Sequence, residues 1–186
     1  MTLLVAGLVI FFGIHLVPTM VPLRRRLAAW KGEGVYQLGY SLIAAVGLVL
    51  IIYGKAVAPY RVLYTPPAWT APVAWGLMWL ALTVFPAAYL PSNLKRVVRH
   101  PFLWGVALWA VAHLLTNGDA AAILLFGSFA VFAFFDMASA NRRGARRSST
   151  RLPFWRDAIL VAVGTSAYLV IIRLHPLLFG VGANPG

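Results

Sequence analysis

The sequence predicts an all-α integral membrane protein, a bundle of about six transmembrane helices with little chain outside the bilayer. Hydrophobic residues make up 61% of the 186 positions and charged residues 11%, against about 25% charged residues in a typical soluble domain. Because about 20 apolar residues cross a hydrocarbon core of about 30 Å, the apolar runs predict a single transmembrane domain over residues 1–186. Six such runs divide the chain, at residues 2–22, 35–53, 68–89, 101–115, 120–138 and 157–174.

The first three runs have boundaries that individual residues mark. No basic segment and no small-residue cleavage site precede Arg24, so we expect residues 2–22 to be a retained helix rather than a cleaved signal. Tyr53 ends the second run and Trp69 lies at the start of the third, and these amphipathic rings prefer the depth of the lipid headgroups. Pro86 lies near the end of the third run, where a missing backbone donor costs least.

The last three runs are marked in the same way. Pro101 opens the fourth run, where its missing N–H removes no helical hydrogen bond. Residues 116–119, Thr-Asn-Gly-Asp, form a turn sequence that joins the fourth and fifth runs into a hairpin. Asp136 lies near the end of the fifth run, and we expect it to pair with Arg142 or Arg143. Trp155 lies two residues before the sixth run, and its ring indicates where that helix enters the membrane.

The cations lie between the apolar runs rather than along them. Thirteen of the 16 Lys and Arg residues fall in three loops, at residues 23–34, 90–100 and 141–156. With six helices these loops share one side of the membrane, so the positive-inside rule places them in the cytoplasm and both termini outside. Topology thus accounts for the net charge of +12, and we expect membrane lipid around the chain and no nucleic-acid partner.

Histidines are the candidates for chemistry, since the chain has no cysteine and only four acidic residues. His15 and His113 lie inside apolar runs, where an ionisable side chain is costly and is by default a functional candidate. Two imidazoles from facing helices can hold a haem iron, and the alternative is that each makes one interhelical hydrogen bond. Small and flat residues near His113 predict a groove that a flat cofactor could enter: Gly105, Trp109, Ala112 and Thr116.

The other two histidines lie at the ends of apolar runs. His100 stands between Arg99 and Pro101 at a basic helix start, where water can satisfy an imidazole. His175 lies near the outer end of the last run. We expect both to be interfacial, and His100 rather than His113 as a ligand remains an open alternative.

Residues 98–119 contain VRHPFLWG at 98–105, then Trp109, AHLL at 112–115 and NGD at 117–119. This stretch closely resembles the NnrU family. FGIH at residues 12–15 resembles that family's N-terminal histidine motif. LPSN at residues 90–93 lies where the family connects two helices.

The resemblance implies a multi-pass protein of the bacterial inner membrane that binds haem b. NnrU proteins are named for an association with nitrite and nitric oxide reduction in denitrifying bacteria, and they are homologous to plastid zeta-carotene isomerase. In that haem b enzyme two histidines ligate the iron, and the matching positions here are His15 and His113. A cysteine lies three residues before the isomerase's second ligand, whereas this chain has Ala110 there.

Three functions follow from the resemblances. The first is isomerase-like or redox-linked activity on a lipophilic small molecule, or a role linked to nitrite and nitric oxide reduction. A second is a non-enzymatic, haem-carrying accessory protein with a respiratory enzyme as its partner. The third rests on Arg99-His100-Pro101 and Gly105, which are similar to the RHPxYxG motif of S-adenosylmethionine-dependent membrane methyltransferases; here Leu103 replaces the motif's tyrosine. The paired downstream glutamates of those enzymes are also missing, and only Asp136 lies near that place.

Overall fold

The computed structural model describes residues 1–180 and 182, and most of that length is α-helical. Short 3₁₀ turns extend two of the helices, at Val17–Thr19 and Phe85–Ala88. The α-helices of the described residues are α1 Thr2–Leu16, α2 Val21–Lys31, α3 Glu33–Ala56, α4 Thr70–Val84, α5 Leu94–Val97, α6 Pro101–Thr116, α7 Ala120–Arg142 and α8 Trp155–Phe179.

Six helical segments coincide with the six predicted runs. Five are long and apolar enough to cross a membrane: Thr2–Thr19, Glu33–Ala56, Thr70–Ala88, Ala120–Arg142 and Trp155–Phe179. The remaining one, α6, is apolar but shorter. At about 1.5 Å per residue it covers about 24 Å. The prediction of an all-α, multi-pass membrane protein is confirmed.

The first basic segment differs from its prediction as a loop. Residues Val21–Lys31 form α2, with Pro22 in its first turn. Arg, Leu, Ala and Lys are strong helix formers, and Pro costs nothing at that position, so local propensity favours the helix. Gly32, at a φ of 90°, then separates α2 from α3. Arg24 pairs with Glu33 across this break.

The chain divides into two compact units, which are described separately. The first unit comprises Met1–Leu63 and Asp119–Ser128. In it α1 packs along α3 through glycines. A Cβ on Gly7 would lie 2.9 Å from the Gly47 carbonyl oxygen, and one on Gly47 would lie 2.8 Å from the Phe11 backbone nitrogen. The backbones therefore approach as closely as small-residue contacts allow, which is how membrane helices associate without a hydrophobic driving force.

The start of α7 in the first unit is capped by an acidic side chain. Ala122 donates its backbone N–H to Asp119 Oδ1 over 3.0 Å. Lys55 Nζ, near the end of α3, donates to the same oxygen over 2.7 Å. The Asp119 side chain is only 6% exposed. The carboxylate thus caps one helix and joins it to another.

The second unit comprises Tyr64–Gly118 and the residues from Phe129 onward. Here α4 packs against α6 and α8. A polar junction ties the basic loop after α7 to the segment before α5. Asn93 Nδ2 donates to the Leu152 carbonyl oxygen over 2.9 Å and to Asp157 Oδ2 over 2.6 Å. Leu152 donates its N–H to Asn93 Oδ1 over 2.9 Å, so both ends of this amide are used.

Candidate functional site

His15 lies on the face of α1 that packs against α3 in the first unit. It follows Leu4, Leu8 and Phe11 at helical spacing, and Leu4 and Leu8 are buried. The imidazole stacks on the Phe11 ring with the centroids 4.1 Å apart. Tyr40, on α3, meets it edge-on with the centroids 5.4 Å apart. His15 is therefore half-buried in an aromatic environment within a membrane-spanning helix.

His113 lies in the last turn of α6, in the second unit, and is also half-buried. The Trp109 indole lies one turn earlier, with its centroid 5.3 Å from that of the imidazole. Phe129 meets this indole edge-on at 5.4 Å. Asn117 Nδ2 donates to the His113 carbonyl oxygen over 2.9 Å, which helps to close the end of the helix.

Both imidazoles make the same local hydrogen bond. His15 Nδ1 lies 2.6 Å from the Phe11 carbonyl oxygen, and His113 Nδ1 lies 2.8 Å from the Trp109 carbonyl oxygen, each four residues back. A carbonyl oxygen only accepts, so Nδ1 carries the proton in both rings. In a neutral imidazole Nε2 then holds the lone pair, which is the state in which histidine binds a metal. A backbone carbonyl behind Nδ1 is a common second-shell partner of metal-bound histidine.

The two histidines belong to different units of the structure, His15 to the first and His113 to the second. Their joint ligation of one iron stays a prediction. Within the part of the chain that the structure describes, no group of three or more His, Cys, Asp or Glu side chains could hold a metal ion.

The groove predicted beside His113 is filled at Gly105. A Cβ on Gly105 would lie 2.7 Å from Cγ of Phe85, so the glycine makes room for this ring from the turn after α4. Ala110 and Ala112 are also buried, with exposed fractions of 0% and 1%. The small residues of α6 at these positions serve helix packing, and the expectation of an open groove there is wrong.

Arg99 and His100 line a different feature, a cavity of about 460 Å³ in the second unit. Asn141, near the end of α7, holds both side chains: its Oδ1 lies 2.6 Å from Arg99 Nη1 and 2.8 Å from His100 Nε2. His100 thus has its Nε2, rather than its Nδ1, held by this contact. The other lining residues are Ala88, Lys95, Pro101, Phe102, Leu103, Arg146, Arg147 and Ser148.

The sequence interpretation missed this cavity and predicted only part of its surroundings. In the sequence, the cations of loops 90–100 and 141–156 predict topology only, and a shared side for both loops agrees with their meeting here. Asn141 had no distinguishing pattern in the sequence. Asp136 does pair with Arg143, over 3.3 Å, as one of its two expected partners. His175, also expected at an interface, lies in α8 with its ring centroid 4.8 Å from that of Phe179.

Comparison with known proteins identifies the family. The model of the NnrU protein family matches residues 3–183, nearly the whole chain. Neither the curated proteins nor the solved structures include one that matches. The resemblance drawn from the histidine-bearing segments is confirmed, and the chain belongs to the NnrU family.

Proposed function

We propose that this NnrU-family chain binds one haem b, which His15 and His113 would hold through their imidazoles. The observation that carries the proposal is the shared orientation of these two imidazoles. Each has Nδ1 on the carbonyl oxygen one turn back, 2.6 Å away for His15 and 2.8 Å for His113, which gives Nε2 the lone pair that iron needs.

The surroundings of the two side chains suit a porphyrin. Phe11 and Tyr40 flank His15, and Trp109 lies beside His113. Flat apolar rings pack well against a macrocycle in a helical membrane domain. Both histidines lie in apolar helices, where an ionisable side chain is costly and is by default a functional candidate. These residue types support the choice of haem b as the ligand of the proposal.

A bound haem would supply an iron that changes oxidation state at membrane depth, next to lipophilic molecules. The chain's own residues would hold and orient it, through the backbone hydrogen bonds of the two imidazoles. No cysteine exists in the sequence, so exchange of a thiolate for an imidazole upon reduction is excluded. We propose isomerase-like or redox-linked activity on a lipophilic substrate, or a role linked to nitrite and nitric oxide reduction.

A non-enzymatic role is the second candidate, as a haem-carrying accessory protein of a respiratory enzyme. The same two histidines would serve it. Co-purification of a respiratory enzyme with the full chain, together with haem but without conversion of polyenes, favours this role. Turnover of a cis polyene by the purified protein alone favours the isomerase-like one.

The absorption spectrum of the purified protein tests haem binding. We expect a Soret band and, in the reduced protein, the sharp visible bands of a six-coordinate, low-spin b-type haem, because two imidazoles would hold the iron. A protein produced with adequate haem supply that is folded and colourless contradicts the proposal.

A further inference from the structure

A second candidate site lies apart from the two histidines, in the cavity of about 460 Å³ that Arg99 and His100 line. Four cationic side chains converge on it, Lys95, Arg99, Arg146 and Arg147. Among the described residues no carboxylate lines this cavity. Like charges held together without a counter-charge repel one another, so an anion from outside the chain would stabilise the arrangement.

The cavity wall is held in place by hydrogen bonds within the second unit. Asn141 Oδ1 fixes Arg99 and His100 over 2.6 and 2.8 Å. Lys95 Nζ donates to the Ala88 carbonyl oxygen over 3.0 Å, and Ser148 donates its N–H to the Lys95 carbonyl oxygen over 3.1 Å. These contacts bring α5, the start of α6, the end of α7 and the following loop together. Lys95 and Arg99 are therefore positioned before any ligand arrives, and Arg146 and Arg147 line the cavity from the exposed loop.

Nearby carboxylates are engaged elsewhere. Asp136 pairs with Arg143, which does not line the cavity. Asp157 accepts hydrogen bonds from the backbone and side chain of Asn93. The positive charge of the cavity is thus left without a partner from these two residues.

One wall of the cavity is apolar. Pro101, Phe102 and Leu103 form the first turn of α6, which continues as an apolar helix. Phe102 is 46% exposed. A site that combines cations with the start of an apolar helix lies where the headgroup region of a bilayer meets its hydrocarbon. Basic pockets at this depth bind the headgroups of anionic lipids.

We propose that this cavity binds the phosphate of an anionic glycerophospholipid, with Lys95, Arg99, Arg146 and Arg147 contacting the phosphate oxygens and Phe102 contacting an acyl chain. Arginine favours this role because its planar fork matches phosphate oxygens in pairs. The site is independent of haem, since it uses neither His15 nor His113.

The test is native mass spectrometry of the purified full chain in neutral detergent, titrated with phosphatidylglycerol or with phosphatidylcholine of the same acyl chains. We expect one tight phosphatidylglycerol per chain and at least tenfold weaker phosphatidylcholine binding. Arg146→Gln together with Arg147→Gln removes two cavity cations from an exposed loop. With about 1 kcal/mol per cation near an anionic lipid, the affinity for phosphatidylglycerol should fall about 25-fold.

The matched control is Arg96→Gln together with Arg142→Gln, which removes two exposed cations of the same loops that do not line the cavity. We expect less than a twofold change. Equal losses in the two double variants would mean general attraction to a basic surface and would overturn the proposal. Equal affinity for the two lipids would overturn it too.

Soluble phosphates are the remaining arm of the experiment. Inorganic phosphate and glycerol 1-phosphate carry the same oxygens without acyl chains, and we expect neither to displace phosphatidylglycerol at 1 mM, because Phe102 and the apolar wall would be left uncovered. Displacement by glycerol 1-phosphate at the concentration of the lipid itself would assign the cavity to a soluble phosphate compound and would overturn the lipid assignment. Unfolding temperatures of all variants, compared with the parent, separate loss of binding from loss of fold.

Discussion

His15 and His113 differ from His100 in the nitrogen that the protein holds. In the first two, Nδ1 contacts a carbonyl oxygen of the same helix, at 2.6 and 2.8 Å. In His100, Nε2 contacts the side chain of Asn141 at 2.8 Å, in company with Arg99. The difference supports the proposal that His113, rather than His100 of the same segment, is a haem ligand. His100 is instead held beside Arg99 at the cationic cavity.

A parallel difference separates two sets of cations. Lys55 in the first unit is matched by Asp119 over 2.7 Å. The cations that line the cavity of the second unit meet no carboxylate there among the described residues. Lys55, at the end of a membrane span, is therefore neutralised by a carboxylate of the protein itself. The cations that line the cavity are available to an anion from outside the chain.

The largest expected effect is the loss of haem from the helix-held histidines. His15→Ala and His113→Ala should each abolish haem binding or convert its spectrum to a high-spin one, because each removes one of the two imidazoles that would hold the iron. His100→Ala should leave the spectrum nearly unchanged. The measurement is a set of oxidised and reduced spectra for the three variants at matched expression.

The opposite result for His100 and His113 would contradict this assignment of the haem ligands. If His100→Ala loses haem while His113→Ala keeps it, the wrong histidine of the segment has been assigned and the iron lies at the basic cavity.

The second prediction concerns the side on which the basic cavity lies. Loops 90–100 and 141–156 meet in the second unit, through Ser148 and Lys95 among others, as a topology with both on one side requires. We propose that this side is the cytoplasm of a bacterial inner-membrane protein with periplasmic termini. A reporter active only in the periplasm, fused to the C-terminus, should be active, whereas activity of a cytoplasm-only reporter at that position contradicts the topology.

The third prediction is a loss of stability when the ion pair between Asp119 and Lys55 is broken. Asp119→Asn leaves Lys55 without its counter-charge, so the unfolding free energy should fall by about 3 kcal/mol. For a chain of this size that corresponds to a decrease of about 6–12 °C in the unfolding temperature in detergent. The control is Asp136→Asn, whose more exposed pair with Arg143 should be worth at most about 1 kcal/mol.

The ion pair between Asp119 and Lys55 also predicts how the stability of the fold depends on pH. Burial alone would raise the pKa of Asp119, but the hydrogen bonds and charge of Lys55 and the N–H of Ala122 outweigh it and hold the pKa below its ordinary value. A carboxyl with a lowered pKa stabilises the fold above its unfolded pKa of about 3.9, and this contribution is lost as the pH falls through the folded value. The difference between the parent and Asp119→Asn should be constant near neutral pH and shrink below about pH 4. A difference that grows in acid would contradict the assignment.

Much of the fold was predictable because a bilayer permits few solutions. Apolar runs of about 20 residues must become helices there, and Pro101 and the turn at 116–119 mark real boundaries of α6. The helix α2 differs from the prediction because its charges indicate topology in the sequence, while its residue types favour a helix. Its exposed, cationic surface gives no apolar period to recognise.

The site was predictable only in part, for a physical reason. An imidazole inside an apolar helix is conspicuous in a sequence, so His15 and His113 could be named. The space around them could not be predicted, because a neighbour such as Phe85 fills the room beside Gly105 from a distant part of the chain. The cavity likewise depends on Asn141, an amide that no local pattern distinguishes.

The smallest expected effect is that of S-adenosylmethionine, for which we predict no useful binding. Arg99, His100 and Gly105 match the methyltransferase motif, but Leu103 replaces its tyrosine and the downstream glutamates are missing. The cavity at Arg99 and His100 is strongly cationic, and among the described residues no carboxylate lines it. The cavity therefore repels the sulfonium and the ammonium of S-adenosylmethionine, whose two positive charges outweigh its single carboxylate.

Calorimetry with the purified protein should show no saturable heat up to 1 mM. The same result is expected for Arg146→Gln, since removal of one cavity cation leaves three. Saturable micromolar binding that His100→Ala abolishes would instead make the loop-held histidine part of a methyl-transfer site and reverse the roles assigned to the two kinds of histidine.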